Sequence, residues 1–322
     1  MPSFTSGGVI VDADDPLTAT NITAEIGSIT SIEIASNVET QGDDSGSIYD
    51  EGRSITQVAP VATVTSKSIA EILSVIGVAG QCFVDGSGNP GVTIYGKNRG
   101  DCLTDVNATD HSKYMFSNGL LTLGTLQADR GSDATLSFMI DGITDGTNAP
   151  LIITHGVALP DSLVKAQFEI GLCAIAGTQF RPESVTIDFG QQKAKPRALA
   201  PTIWPERIAV QKVQPVITLR GIDPRIIADA NIDLDGETAA HTNTKIQLVK
   251  RLTGASYVAS ATTSHIYFTA AGLAIVPTPF SAQGQADATV DVRIECIFDG
   301  THAPILFGTS SAYDTSPEIL SA

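Results

Sequence analysis

The chain has 322 residues, of which 42% are hydrophobic and only 17% charged, with a net charge of −16. That length implies two domains of ordinary size. The acid excess argues against a protein that grips phosphate backbones through basic patches, and no run of about 18 apolar residues is present to form a membrane-spanning helix.

The N-terminus, Met1-Pro2-Ser3-Phe4, has neither a basic segment nor an apolar run, so we expect the chain to fold in a cytoplasm. Ile32 and Ile34 alternate with polar residues and predict a strand. A long polar loop follows from Asn37 to Thr56, and a second strand begins at Pro60-Val61. Ser68-Ile-Ala-Glu71 has the form of a capping box. Ile69, Ile72, Leu73 and Ile76 then make one apolar stripe, which predicts a short helix stopped by Gly77. Gly86-Ser-Gly-Asn-Pro-Gly91 matches GxGxxG, but Val92 and Ile94 behind it alternate as a strand, so we read a glycine turn and not a dinucleotide site. Asp145-Gly146-Thr147 lies between apolar runs and predicts a closing hairpin.

The second half repeats this order. Val185 and Ile187 predict a strand, Gly190 to Ile208 a long loop, and Pro215-Val216 the next strand. Asp223 followed by Pro224 marks a helix start, with Ile226, Ile227 and Ala230 facing inward. Ile246 and Leu248 form a strand, and Asp299-Gly300-Thr301 repeats the turn. The correspondence is residue by residue: Asp133–Ile152 laid on Asp287–Leu306 matches at ten of twenty positions without a gap. Gly119 pairs with Gly272, Thr125 with Thr278, Pro60 with Pro215 and Ser31 with Ser184. The period is too long for a solenoid. We therefore expect a mainly β chain of two tandem β-sandwich or barrel modules, each with one short helix, spanning residues 1–162 and 163–322. The segment Leu159–Phe168 between them is not rich in Gly or Ser, so the modules should sit in a fixed relation.

Signatures of catalysis and metal binding are missing. Cys82, Cys102, Cys173 and Cys296 form no CxxC pair and read as reduced, small apolar residues, with a Cys82–Cys102 bridge left open. Asn231-x-Asp233-x-Asp235-Gly236 resembles the start of an EF-hand loop, but Thr242 stands where its bidentate Glu belongs. His111, His155, His241, His265 and His302 are scattered, and no GxSxG or Walker A motif occurs. We expect no cofactor, no metal and no enzymatic activity.

The two long loops carry the sharpest difference between the halves. The first holds Glu39, Asp43, Asp44, Asp50 and Glu51 against Arg53; the second holds Lys193, Lys195, Arg197 and Arg207 against Glu206, with Trp204 as a candidate anchor. Residues 1–160 contain 19 acids and 6 bases, residues 161–322 contain 16 and 13. Two arms of opposite sign at equivalent places are expected to meet between subunits, where complementary charge sets register and speeds encounter. Two solvated loops that drifted in charge are the plainer alternative.

Gln167-Phe-Glu-Ile-Gly171 and Ser184-Val-Thr-Ile-Asp-Phe-Gly190, followed by the long loop, the single helix and the closing Asp-Gly-Thr turn, resemble the major tail tube proteins of long-tailed, siphovirus-like bacteriophages. The resemblance covers most of the chain, twice over. It implies stacked rings forming a virion tail tube, assembled in the host cytoplasm, through which double-stranded genome DNA passes without specific binding. It also implies contact with other tail proteins and a tape-measure protein, and none with membrane. Members are commonly single modules in six-fold rings, so two fused modules imply a trimer that makes a pseudo-hexameric ring. Acids on strands, namely Glu33, Asp141, Asp291 and Glu295, would then face the lumen and repel DNA. Another virion component (capsid, decoration or tail-tip protein) or a β-sandwich adhesin or binding module is the alternative expectation.

Overall fold

The computed structural model describes residues 4–42, 52–85, 91–98, 109–160, 166–194, 198, 202–232, 241–252, 257–281, 288–298 and 300–313. The chain is mainly β, with 23 strands and two short helices among these residues. It opens with β1 (Phe4–Asp15), β2 (Thr20–Ile26) and β3 (Ile29–Ala35). The first long loop contains a hairpin, β4 (Val38–Gly42) and β5 (Arg53–Val58). Then come β6 (Val61–Ser66), α1 (Ile69–Val75), β7 (Gln81–Asp85), β8 (Val92–Asn98), β9 (His111–Phe116), β10 (Asn118–Asp129), β11 (Thr135–Ile143) and β12 (Leu151–Val157).

The second half contains β13 (Gln167–Ile170), β14 (Cys173–Ile175), β15 (Thr178–Phe180) and β16 (Ser184–Asp188). Its long loop also holds a hairpin, β17 (Gln191–Lys193) and β18 (Val210–Val213). It ends with β19 (Val216–Ile222), α2 (Ile226–Asp229), β20 (His241–Arg251), β21 (His265–Ser281), β22 (Thr289–Cys296) and β23 (Ile305–Ser311).

The pairings of the first half recur in the second. Ile32 lies opposite Val64 in β3–β6, and the equivalent Val185 lies opposite Leu219 in β16–β19. Phe138 faces Val64 across β11–β6, and Val292 faces Leu219 across β22–β19. Leu120 faces Asp141 across β10–β11, and Leu273 faces Glu295 across β21–β22. The long β21 does the work of two strands: its first part pairs with β20 and β23, as β9 pairs with β8 and β12, and its second part pairs with β22, as β10 pairs with β11. Glycine holds the passage between the two parts. A Cβ on Gly119 would run into the Asp141 carbonyl oxygen, and one on Gly272 into that of Glu295.

One ladder runs through both halves in the order β3–β6–β11–β10–β16–β19–β22–β21. Alternation gives it two unlike faces. Val64, Phe138, Leu126, Ile187, Leu219 and Val292 point to a buried side continuous with Val9, Val11 and Ile94 of the opposing strands. The other face carries Glu33, Thr63, Ser137, Gln127, Thr186, Thr218 and Arg293. The sheet does not break at residue 162.

Several local expectations are corrected. β11 and β12 do not pair with each other: β11 pairs with β10 and β6, and β12 with β9. The Asp145 turn therefore crosses between sheets and closes no hairpin, and β22 and β23 behave likewise. Asp145 still earns its place, because its Oδ1 accepts the Thr147 and Asn148 N–H groups at 2.7 and 2.6 Å. The capping box at Ser68 is not closed. Its Oγ donates to the Gly27 carbonyl at 2.9 Å, although Ile69, Ile72, Leu73 and Ile76 are buried as the stripe requires. In the second half the helix begins one turn later than Asp223, with Arg225 before it. Asp223 Oδ1 instead accepts the Arg225 N–H at 2.9 Å, while Ile226 and Ala230 are buried and Ile227 is half-buried.

Residues 86–90, Cys102 and residues 233–240 lie outside the described residues, and with them the glycine turn, the Cys82–Cys102 pair and most of the EF-hand-like stretch. Cys173 and Cys296 are buried, which pushes both thiols up to about 12. Among the described residues no helix is long and apolar enough to cross a membrane, and no cluster of His, Cys, Asp and Glu is arranged to hold a metal.

Candidate assembly interface

The two halves are joined by strand pairing and by an arm. β16 of the second half pairs with β10 of the first, with Thr125 opposite Asp188, Leu126 opposite Ile187 and Ala128 opposite Val185. The Phe189 N–H donates to the Gly124 carbonyl at 3.1 Å and sets the phase, so that Leu126 and Ile187 face each other as a hydrogen-bonded pair. Past the ladder, Arg130 N–H donates to the Glu183 carbonyl (2.8 Å), Gly131 N–H to Glu169 Oε1 (2.8 Å) and Ala134 N–H to the Phe168 carbonyl (2.7 Å). Arg251 reaches from β20 to Asp133 at 3.4 Å.

The β17–β18 arm completes the joint by leaning over the first half. Gln191 is buried: its Oε1 accepts the Leu123 N–H at 2.8 Å, and its Nε2 donates to the Gly77 carbonyl at 3.3 Å and to that of Val78. Lys193 Nζ lies 2.6 Å from Asp141 Oδ2. Beyond β17, Ala198 N–H donates to Gln57 Oε1 (3.3 Å). The Ile203 carbonyl accepts the Val58 N–H (2.8 Å), and the Pro205 carbonyl accepts the Thr144 N–H (2.9 Å). Backbone groups that would otherwise stay unpaired are thus satisfied across the joint, which makes it specific in geometry and not merely sticky.

Within one chain the two arms touch through backbone and amide groups, not through their charges. Lys193 pairs with Asp141 on β11, not with an acid of the other arm. Glu39 is exposed on β4, Arg207 is exposed, and Trp204 is half-buried in the arm. Asp43, Asp44, Asp50, Glu51, Lys195 and Arg197 lie outside the described residues. Glu33, Asp141, Asp291 and Glu295 all sit on the polar face of the long ladder, since the residue just before each of them (Ile32, Ile140, Val290 and Ile294) packs into the core on the other face. Their situations differ. Glu33 is exposed, Asp291 accepts the Gly221 N–H at 3.3 Å, and Glu295 pairs with Arg293 at 3.0 Å. Asp141 is 5% exposed under Lys193. Burial pushes its carboxyl above the usual range, and Lys193 pulls it back part of the way. Alternation reveals such a face in sequence; nothing local reveals Gln191 or the Lys193–Asp141 partnership, because their contacts are over 50 residues apart.

Each half of this joint has a counterpart that nothing fills among the described residues. β3 is the equivalent of β16 but pairs only with β6, and Ile32 and Ile34 are half-buried where Val185 and Ile187 are fully buried. The second part of β21 is the equivalent of β10 but pairs only with β22. Thr144 is 5% exposed beneath the arm, whereas its equivalent Phe298 is 62% exposed beside Ile297 at 45%. On the β4–β5 arm, Val38 and Ile55 are 47% and 51% exposed.

Comparison with protein-family models finds no match to this chain, and comparison with curated protein sequences finds none.

Proposed function

We propose that this chain is a structural subunit that assembles with copies of itself, and that the assembly is the tail tube of a long-tailed bacteriophage. The observation that carries self-assembly is the half-joint at each flank among the described residues: an edge strand with its arm at one side, and an unfilled edge with an exposed apolar patch at the other. Long unpaired edges and large exposed apolar residues are liabilities unless something covers them.

The ladder is what supports the tube. Its eight strands share one polar, threonine-bearing face, and three such chains would close a barrel of about 24 strands, wide enough for an open channel. Acids on that face would repel a passing phosphate backbone, which suits a conduit for DNA. The resemblance in Ser184–Gly190 and its flanks points the same way. On this reading the chain has no catalytic role and no cofactor, works in the virion, and touches other tail proteins and a tape-measure protein.

Negative-stain microscopy of the purified protein tests it. Rings or tubes with a central channel are expected; a chain that stays monomeric at high concentration and over a range of ionic strengths overturns the reading.

A further inference from the structure

The joint inside the chain is a template for a joint between chains. We propose that a second copy adds its β3 to the open flank of β21, with Ala35 opposite Thr278 and Ile34 opposite Pro279, and lays its β4–β5 arm over Ile297 and Phe298. This rests on the self-assembly reading and specifies how the partner is held.

The register comes from substitution of equivalents. Thr125 opposite Asp188 becomes Thr278 opposite Ala35, and Leu126 opposite Ile187 becomes Pro279 opposite Ile34. The arm lands by the same transfer. In the chain, the second arm covers Thr144 and Val58; between chains, the first arm covers their equivalents Phe298 and Val213. Its exposed Val38 and Ile55 take the places of Gln191 and Val210, the latter packed against Gly80. Apolar residues thus stand on both sides of the contact.

Charge supports the same partner. The surface under the second arm has Gln57, Met139 and the acid Asp141, whereas the equivalent surface of the second half has exposed Lys212 and Arg293 beside the acid Glu295. The incoming arm has changed in the opposite sense, with Glu39 where the second arm has Gln192. Within the chain a basic arm lies on an acid, Lys193 on Asp141; at the seam between chains the signs are exchanged, and an acidic residue comes to a surface that has gained two bases.

The two joints are unequal. Pro277 and Pro279 take the places of Gly124 and Leu126, so two backbone donors are missing from the open flank of β21. Their carbonyls remain to accept from Ser36 and Ile34 of the incoming strand. The seam between chains is therefore a weaker, more acceptor-rich version of the joint within the chain, and edge prolines deter pairing in other registers.

Engineered cysteines test the register. Ala35→Cys and Thr278→Cys fall on a non-hydrogen-bonded pair, whose close Cα spacing favours a bridge. Mixing the two single variants under mild oxidation should give covalent dimers and nothing longer; the double variant should give a ladder of multimers. Ala35→Cys mixed with Pro277→Cys should link poorly. Thr125→Cys with Asp188→Cys serves as the control and should close within one chain. In parallel, Phe298→Ser, a substitution at an exposed site, should weaken association about tenfold or more, as expected for a central apolar anchor, with an unchanged circular dichroism spectrum. If rings form but Ala35→Cys and Thr278→Cys do not link, this docking is wrong while self-assembly stands. If neither rings nor links form at high protein concentration, the self-assembly reading fails with it.

Discussion

Lys193 and Asp141 show how much of the joint rests on single residues. Asp141 is buried and pushed up by that burial, and Lys193 is the cation that opposes the shift. Lys193→Met should leave an uncompensated buried carboxyl and destabilise the chain by about 2–4 kcal/mol, read from the denaturant midpoint. Adding Asp141→Leu should recover most of that loss, because removing both charges removes the desolvation cost; a double variant as weak as the single one would assign the effect to packing. Asp145 acts through pH. Hydrogen bonds from Asn148 and Thr147 hold its carboxyl below the usual aspartate range. A depressed folded value means stability present above the ordinary aspartate pKa and lost as pH falls through the lowered one. Asp145→Asn should therefore flatten the acid limb of a stability-against-pH curve in that window. Lys193 stood out in the sequence as part of a basic arm, but its partner did not, since charge patterning along a chain says nothing about which distant strand lies beneath.

Strand edges are where sequence pattern and structure diverge most instructively. Alternation located β3, β16, β6 and β19, because one buried face forces apolar residues to every second position. The arms read as loops because β4 is exposed along its whole length and so carries no alternation, although it pairs with β5 over five residues. The Asp-Gly-Thr turns misled for another reason: turn chemistry fixes a local reversal but not which sheet the next strand joins. Edges also carry a prediction. Pro279→Leu should restore a donor on the open flank of β21 and strengthen association by roughly 1 kcal/mol, the net worth of one hydrogen bond. Dilution experiments by sedimentation velocity should show assemblies persisting to several-fold lower protein concentration; unchanged or weaker assembly would place the contact elsewhere.

At the scale of the whole chain, the repeat was the most legible feature. β11 and β22, which lie in the gapless match of twenty residues, have equivalent neighbours, in equivalent register over Met139–Gly142 and Arg293–Cys296. The match could not foretell β10 pairing with β16, because a repeat describes each copy and is silent on how copies touch. That shared ladder, with one core cluster running through both halves, implies that they unfold together. Thermal unfolding followed by near-ultraviolet and far-ultraviolet circular dichroism should give one coincident transition, and two separated transitions would show the halves to be thermodynamically independent. Fusion also constrains arithmetic. A ring built from single modules can go wrong by one, closing with five or seven in place of six. A ring built from this chain can contain only an even number of modules, so its smallest counting error adds or removes two, with twice the angular misfit to absorb. Joining the modules covalently at one of every two joints would thus act as a parity check on closure.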